Sequence, residues 1–342
     1  MRLSAADYLG RIVRQCVDAE PINRPDADYL AAAAADDPWE LLHAAWRVRR
    51  HLFGRSVRMC SIVPGKLGGC AEDCMWCAQS SRHSGTYAGK TERTPQNRIV
   101  AAAKKASRQG ASRLGIVNSG RRPTDSDLTA VIAAKKAIDA TGGVHVPICV
   151  SLGEIDSRQA ARLAEAGVVR YHHNLETSRR LFGEFVTTHS YDDRLATLHT
   201  AKAGGLKVCC GGLFGLGETW ADRIDLAMTI RDEVGADSVP LNFLNPVPGT
   251  PLEHAQPLAP LECLCIIAAF RLIMPTADIK VAGGREVSLR DMQNWIFYAG
   301  ATSCMTGDYL TTAGRGSDQD RSMIADLGLE LVAEYPQAQA TC

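Results

Sequence analysis

Three cysteines, Cys70, Cys74 and Cys77, stand within eight positions in GGCAEDCMWCAQSS, spaced by three and then two residues. Thiols bunched this closely on one stretch read as metal or cluster ligands before they read as packing residues. A structural zinc site takes four ligands, usually as two separated pairs, and His83 is the only nitrogen donor nearby in sequence. A four-iron cluster also takes four ligands, but one iron can be left for a substrate or cofactor. Three thiolates on a single loop suit such an open cluster.

The chain of 342 residues carries 12 cysteines, is 46% hydrophobic and 22% charged, and balances 38 Lys and Arg against 38 Asp and Glu. That balance gives no net field toward nucleic acid or an anionic membrane, so neither is an expected partner. No apolar run approaches the length of a membrane span. The amphipathic start, MRLSAADYLGRIVRQC, lacks the uninterrupted apolar core of a secretory signal. A cytoplasmic protein is expected, and there disulfides rarely persist. Scattered cysteines are then core hydrophobes, as expected for Cys16, Cys263, Cys265, Cys304 and Cys342, while clustered ones are ligands.

The elements that must position the cysteine loop repeat along the chain. After helices over the first fifty-odd residues, the last starting at Asp36, Asp37 and Pro38 and ending at Gly54, eight β-branched or apolar runs appear. They cover 57–63, 112–117, 145–151, 168–174, 206–212, 236–242, 277–283 and 302–307, with amphipathic helices between them. Strands alternating with helices imply parallel pairing and right-handed crossovers. The expected fold class is α/β, a (β/α)8 TIM-type barrel with an N-terminal helical extension; a doubly wound sheet is the alternative. The expected division is 1–55 as the extension, 56–315 as the barrel and 316–342 as a C-terminal helix and tail. Cys60, the three-cysteine loop, Cys149, the YHHNLE stretch, Cys209, Asn242 and Lys280 all fall in or just after these runs. In a barrel that places them at the C-terminal rim or just inside it.

The C-x3-C-x2-C spacing, with Trp76 before the last cysteine, resembles the radical S-adenosylmethionine superfamily. The ordered blocks CAEDCMWCAQSSRHSG, YHHNLETS, KVCCGGLFGLGET, VPLNFLNPVPGTPLE, KVAGGRE and GDYLTTAG resemble the biotin synthase family, from about residue 40 to 330. The resemblance implies a [4Fe-4S] cluster on Cys70, Cys74 and Cys77 whose open iron is chelated by S-adenosylmethionine. It implies a deoxyadenosyl radical that attacks dethiobiotin, with sulfur supplied by an auxiliary iron–sulfur cluster inside the barrel. It also implies a flavodoxin or ferredoxin as electron donor, and a homodimer.

For the auxiliary cluster the chain departs from the familiar family pattern of three cysteines and an arginine. Cys149 and Cys209 match two of the cysteines, the third position falls on Gly115, and the arginine position falls on Lys280. Cys60 is the expected replacement, as in a second subgroup whose auxiliary cluster is richer in iron and sulfide than the two-iron form. Only one of Cys209 and Cys210 can face the interior, because neighbouring strand residues point to opposite faces; the alignment favours Cys209. Lys280 is either a ligand or a neighbour of one.

By the same resemblance, Asn174 and Glu176 bind the ribose hydroxyls of S-adenosylmethionine, a task that suits a carboxylate facing a vicinal diol. Ser119 and Gly120 offer backbone groups to its methionyl part, and Trp76 flanks the adenine or packs the loop. His172 stands where the family has an asparagine contacting dethiobiotin, His173 faces the other way, and Asn242 pairs with the ureido ring. Arg285 and Glu286, or Arg121 and Arg122, are the candidates for the substrate carboxylate. The competing readings are another barrel enzyme of the superfamily, of the hydrogenase-maturation or methylornithine-synthase type, and a non-catalytic metal-binding scaffold.

Overall fold

In the computed structural model, which describes residues 5–84 and 90–335, each of the eight apolar runs contains a strand. They are β1 (Ser56–Leu67), β2 (Arg113–Asn118), β3 (Ile148–Ser151), β4 (Arg170–His172), β5 (Lys207–Cys209), β6 (Ser238–Phe243), β7 (Asp278–Val281) and β8 (Ser303–Met305). Each pairs in parallel with the next, and β8 pairs in parallel with β1. The ring is therefore closed. A doubly wound sheet would leave two edges, and closure leaves none.

Three short strands lie outside those runs or at their ends. Gly212–Phe214 continues β5 after a break at Cys210 and Gly211 and pairs with β6; Glu92–Arg93 and Glu330–Leu331 each pair with β1. The break has a steric cause. A Cβ on Gly211 would lie 1.8 Å from the carbonyl oxygen of Pro240, so only glycine lets the two strands approach there.

Helices α1 (Ala5–Val17), α2 (Arg24–Asp36) and α3 (Pro38–Phe53) form the N-terminal extension. Asp37 caps α3 by accepting from the Glu40 amide, Pro38 sits in its first turn, and Gly54 follows its end. Buried Arg49 welds α3 to the barrel, donating to the carbonyls of Gly54, Ser56 and Ala301. The helix Pro260–Ile273, packed against α3, is buried on nearly every side, which accounts for Cys263 and Cys265 as core residues. Cys16 and Cys304 are buried too, while Cys342 lies outside the described residues.

The N-terminal end of the barrel is closed by the chain's own tail. Tyr335 donates to Asp278 (2.8 Å) and to the Thr302 carbonyl (2.8 Å), and the Arg58 guanidinium lies 3.9 Å from its ring centroid. Arg58 is also paired with Asp278 at 2.6 Å. Among the described residues, no helix is long and apolar enough to cross a membrane.

Candidate active site in the barrel interior

The loop after β1 carries Cys70, Cys74 and Cys77 and is pinned at several points. Asp73 accepts from the Thr187 and Thr188 amides, at 3.0 and 3.3 Å, and Glu72 accepts from the Thr188 hydroxyl and meets His189 Nδ1, both at 2.6 Å. Burial alone would raise the Asp73 pKa, but the bonds from Thr187 and Thr188 hold it down at about 2. Ser119 donates to the Gly68 carbonyl at 2.6 Å, and its amide donates to Lys66. Ser119 thus steadies the start of the loop and does not line the cavity described next. His83 is turned to the Cys74 carbonyl, 3.0 Å away.

Burial pushes the Cys74 thiol up to about 12 and the Cys77 thiol up to about 11. These thiols ionise only against a nearby positive charge, which is what bound iron provides. Among the described residues, no three His, Cys, Asp or Glu side chains converge on a point that would hold one metal ion. The donor chemistry fits a cluster, and a closed single-zinc site is not formed there.

Beside this loop a cavity of about 350 Å³ runs down the barrel axis. Trp76 and Cys77 line its mouth; Asn174, Glu176 and Asn242 line its upper wall. Deeper, its walls are built in layers, as expected where alternate strands each send one side chain inward at a common height. The odd strands β1, β3, β5 and β7 contribute Cys60, Cys149, Cys209 and Lys280. The even strands set two flanking layers by register. Arg113, Arg170, Ser238 and Ser303 are paired with Cys60, Cys149, Cys209 and Lys280 on the side of the barrel floor. Met305, Gly115, His172 and Pro240 are paired with the same four toward the mouth. Cys210 is fully buried outside this lining, as its neighbour's inward orientation requires.

The upper wall is held by backbone bonds. Asn174 Oδ1 accepts from the Gly211 amide (3.1 Å), and its Nδ2 donates to Glu176 (3.3 Å). Glu176 adopts φ +70°, a left-handed conformation that a non-glycine residue keeps only under constraint. The constraint is two backbone bonds: its amide donates to Gly211, and its carbonyl accepts from Leu213 at 2.7 Å. Burial raises the Glu176 pKa against the opposing charge of Arg194. Asn242 donates to the Gly212 carbonyl and accepts from the Gly283 amide, leaving one N–H and one lone pair for the cavity.

The arginine pairs named in the sequence are committed elsewhere. Arg121 and Arg122 share Glu154, at 2.9 and 2.8 Å. Arg285 is fully buried in a bidentate pair with Asp320 and also reaches Glu286. Neither pair lines the cavity, and His173 does not line it either.

Known proteins show which reaction uses such an arrangement. Residues 66–230 match the radical SAM superfamily, and residues 240–330 match the biotin and thiamin synthesis associated domain. The biotin synthase of Geobacter metallireducens is 46% identical over 96% of this chain and 98% of its own length. That of Trichlorobacter lovleyi is 47% identical over 93% and 95%. The chain belongs to the biotin synthase family. Among solved structures, a methylornithine synthase superposes with a TM-score of 0.79 at 20% identity, covering 94% of this chain and 97% of its own. A maturase of the [FeFe]-hydrogenase superposes with 0.82 at 14%, covering 97% and 76%. At those identities they show the shared fold alone.

As a member of the biotin synthase family, the chain is an enzyme that uses a [4Fe-4S] cluster and S-adenosylmethionine. The electrostatics of its deep layer suit a second anionic group. Burial pushes the Cys149 thiol up to about 12, whereas for Cys209 the charge of Lys280 and a hydrogen bond from His172 override burial and bring it down to about 6. Burial opposes the charge on Lys280, but the neighbouring Cys60, Cys209 and Asp278 hold its pKa above the ordinary value. Lys280 is therefore an ammonium facing these cysteines, and must lose its proton before it could ligate iron.

Four of the cavity's polar side chains carry no obvious sign of that role in the sequence. Arg113 and Arg170 sit in strands as isolated basic residues, which composition treats as solvent-facing. Thr311 and Thr312 lie in the loop after β8 and line the mouth. Arg194 completes the site from behind, donating to the Asn174 carbonyl at 2.7 Å and approaching Glu176 at 3.8 Å. For these, the available signal was a period-of-two count placing Arg113 and Arg170 on the same face as their inward neighbours.

Proposed function

We propose that this protein converts dethiobiotin to biotin by inserting sulfur between two unactivated carbons. The observation that supports the reading is the odd-strand layer: three cysteines and a lysine, in the same cavity that Cys77, Asn174 and Glu176 line above them. When bound, the iron–sulfur cluster and S-adenosylmethionine supply reductive radical chemistry, and the auxiliary cluster supplies sulfide. Cys70, Cys74 and Cys77 hold the first cluster; Cys60, Cys149 and Cys209 hold the auxiliary one, with Lys280 as counter-charge.

The remaining side chains bind and orient. Glu176 accepts from both ribose hydroxyls, fixed by its backbone bonds and by Asn174, whose second N–H is free for the same diol. Asn242 offers its spare N–H and lone pair to the ureido group, which needs a donor and an acceptor and no charge. His172, paired in register with Cys209 and level with Gly115, lies between the deep layer and the substrate, so its contact is to the auxiliary group as much as to dethiobiotin. The substrate carboxylate goes to the hydroxyls of Thr311 and Thr312, since the arginine pairs are spent on Glu154 and Asp320. Trp76 covers the mouth and excludes water from the reacting carbons. A flavodoxin- or ferredoxin-type protein in the cytoplasm is the proposed electron donor, and a homodimer the proposed assembly.

The test is anaerobic reconstitution with iron and sulfide, followed by a single turnover with dethiobiotin and S-adenosylmethionine. Two clusters per chain and formation of biotin are expected. One cluster, with deoxyadenosine formed and no biotin, would assign the chain to a different radical reaction.

A further inference from the structure

The hydrogen bonds that pin the cysteine loop continue past its anchors. Asp73 fastens the loop to the Thr187 and Thr188 amides, whereas Glu72, between Cys70 and Cys74, meets His189 Nδ1 at 2.6 Å. On the far edge of the same ring, Arg194 Nε donates to His189 Nε2 at 3.1 Å. Arg194 in turn donates from Nη1 to the Asn174 carbonyl at 2.7 Å and stands 3.8 Å from Glu176. One imidazole thus joins the loop that carries three cysteines to the two residues of the cavity's upper wall. The path is enclosed, since none of the side chains of Glu72, His189, Arg194 and Glu176 is more than 15% exposed.

The state of the ring follows from its partners. Arginine has no acceptor, so His189 Nε2 is the bare, accepting nitrogen, and the ring's one N–H is on Nδ1, donated to Glu72. Burial and the Arg194 charge lower the His189 pKa, in keeping with a neutral ring. Phe182 fixes the ring's orientation: it lies edge-on to His189 with centroids 5.7 Å apart, and the Arg194 guanidinium sits 5.3 Å from its own centroid. A side chain with only a donor or only an acceptor would hold one end of this chain of bonds. A neutral imidazole holds both, at a fixed span.

We infer that His189 is a positioning residue that couples the cysteine loop to the S-adenosylmethionine site, holding Arg194, and through it Asn174 and Glu176, in register with the first cluster. His189 itself does not line the cavity. The inference rests on the proposed assignment of Cys70, Cys74 and Cys77 to that cluster and of Glu176 to the ribose. Its consequence is energetic: the ribose acceptor cannot shift without straining a bond that leads back to the loop.

The test is a double-mutant cycle on reconstituted holoenzyme, because coupling through a network is shown only by non-additivity. Equilibrium titration with S-adenosylmethionine is run on the native chain, His189→Phe, Glu176→Gln and the double variant, with iron analysis and the spectrum of the first cluster beside it. His189→Phe keeps a ring against Phe182 but has no nitrogen. It is expected to keep the iron of the first cluster and its spectrum without cofactor, and to bind S-adenosylmethionine about tenfold more weakly. The penalty of Glu176→Gln is then smaller in the His189→Phe background than in the native chain. His189→Gln, whose amide carries both an acceptor and a donor, restores affinity. Unchanged affinity in His189→Phe would overturn the inference, and so would penalties that simply add. Loss of iron from the first cluster in His189→Phe would also overturn it, by making His189 a support of the loop alone. If His189→Phe fails to fold, His189→Leu is scored by the same cycle. A native first cluster that ignores S-adenosylmethionine would remove the assignment beneath the inference. Coupling without biotin formation would remove only the sulfur-insertion reading, so the failures are distinguishable.

Discussion

At the scale of single residues, chemically similar groups take different tasks. Cys60→Ser is expected to lose auxiliary iron while keeping the absorbance change that S-adenosylmethionine causes at the first cluster; iron analysis and that titration check both halves. Glu176→Gln removes a charged acceptor, whose bonds are worth about 1.5–3 kcal/mol. Binding of S-adenosylmethionine should weaken about 10- to 150-fold, measured by equilibrium titration. Because burial raises the Glu176 pKa, its acceptor form is lost at a higher pH than an ordinary carboxylate would lose it. Affinity should therefore fall as pH is lowered through the mildly acidic range, and Glu176→Gln should abolish that dependence.

At the scale of elements, strand register decides which cysteine is chemical and which is packing. Cys209→Ala should remove the auxiliary cluster. Cys210→Ala should keep full iron and cost only about 1 kcal/mol of stability, read from denaturant unfolding. The loop's approach is anchored by Asp127, a fully buried carboxylate that meets Lys66 of β1 at 3.0 Å and Arg93 at 2.5 Å. Burial would raise its pKa, but the bonds from Thr124 and Lys66 hold it at about 2. A depressed carboxylate stabilises the fold above its unfolded pKa near 4, and that contribution, about 2 kcal/mol, fades as pH falls toward 2. Asp127→Asn should flatten the acid limb of stability between those values.

Those elements were legible in the sequence because each strand is a β-branched run between helix caps, and the caps recur as Asp, Ser or Thr. The cysteine loop was legible from its close spacing, and the pair at Cys149 and Cys209 from their match to the family's ligand positions. What was not legible depends on close approach and on partners far away in sequence. The break at Gly211 is set by Pro240, and the commitment of Arg285 by Asp320. A sequence shows Arg121, Arg122 and Arg285 as available cations; packing shows them paired. Ser119 differs from its expected role for the same reason, since its hydroxyl and amide are both used to hold the start of the cysteine loop.

At the scale of the whole molecule, a closed barrel puts the two proposed cluster sites on one axis: an upper loop that is half-buried at Cys70 and Cys77, and a deep layer sealed below by the tail. Glu334 and Tyr335 complete that seal by meeting Arg58, Arg113 and Asp278. On the proposed reading, sulfur reaches the substrate from within the protein and not from solvent. The most direct measurement is the mass of biotin formed in one turnover, by enzyme reconstituted with isotopically labelled sulfide and placed in unlabelled buffer sulfide. The account predicts labelled biotin from the native chain and none from Cys60→Ser. Unlabelled biotin from the native chain, or labelled biotin from the variant, would contradict it.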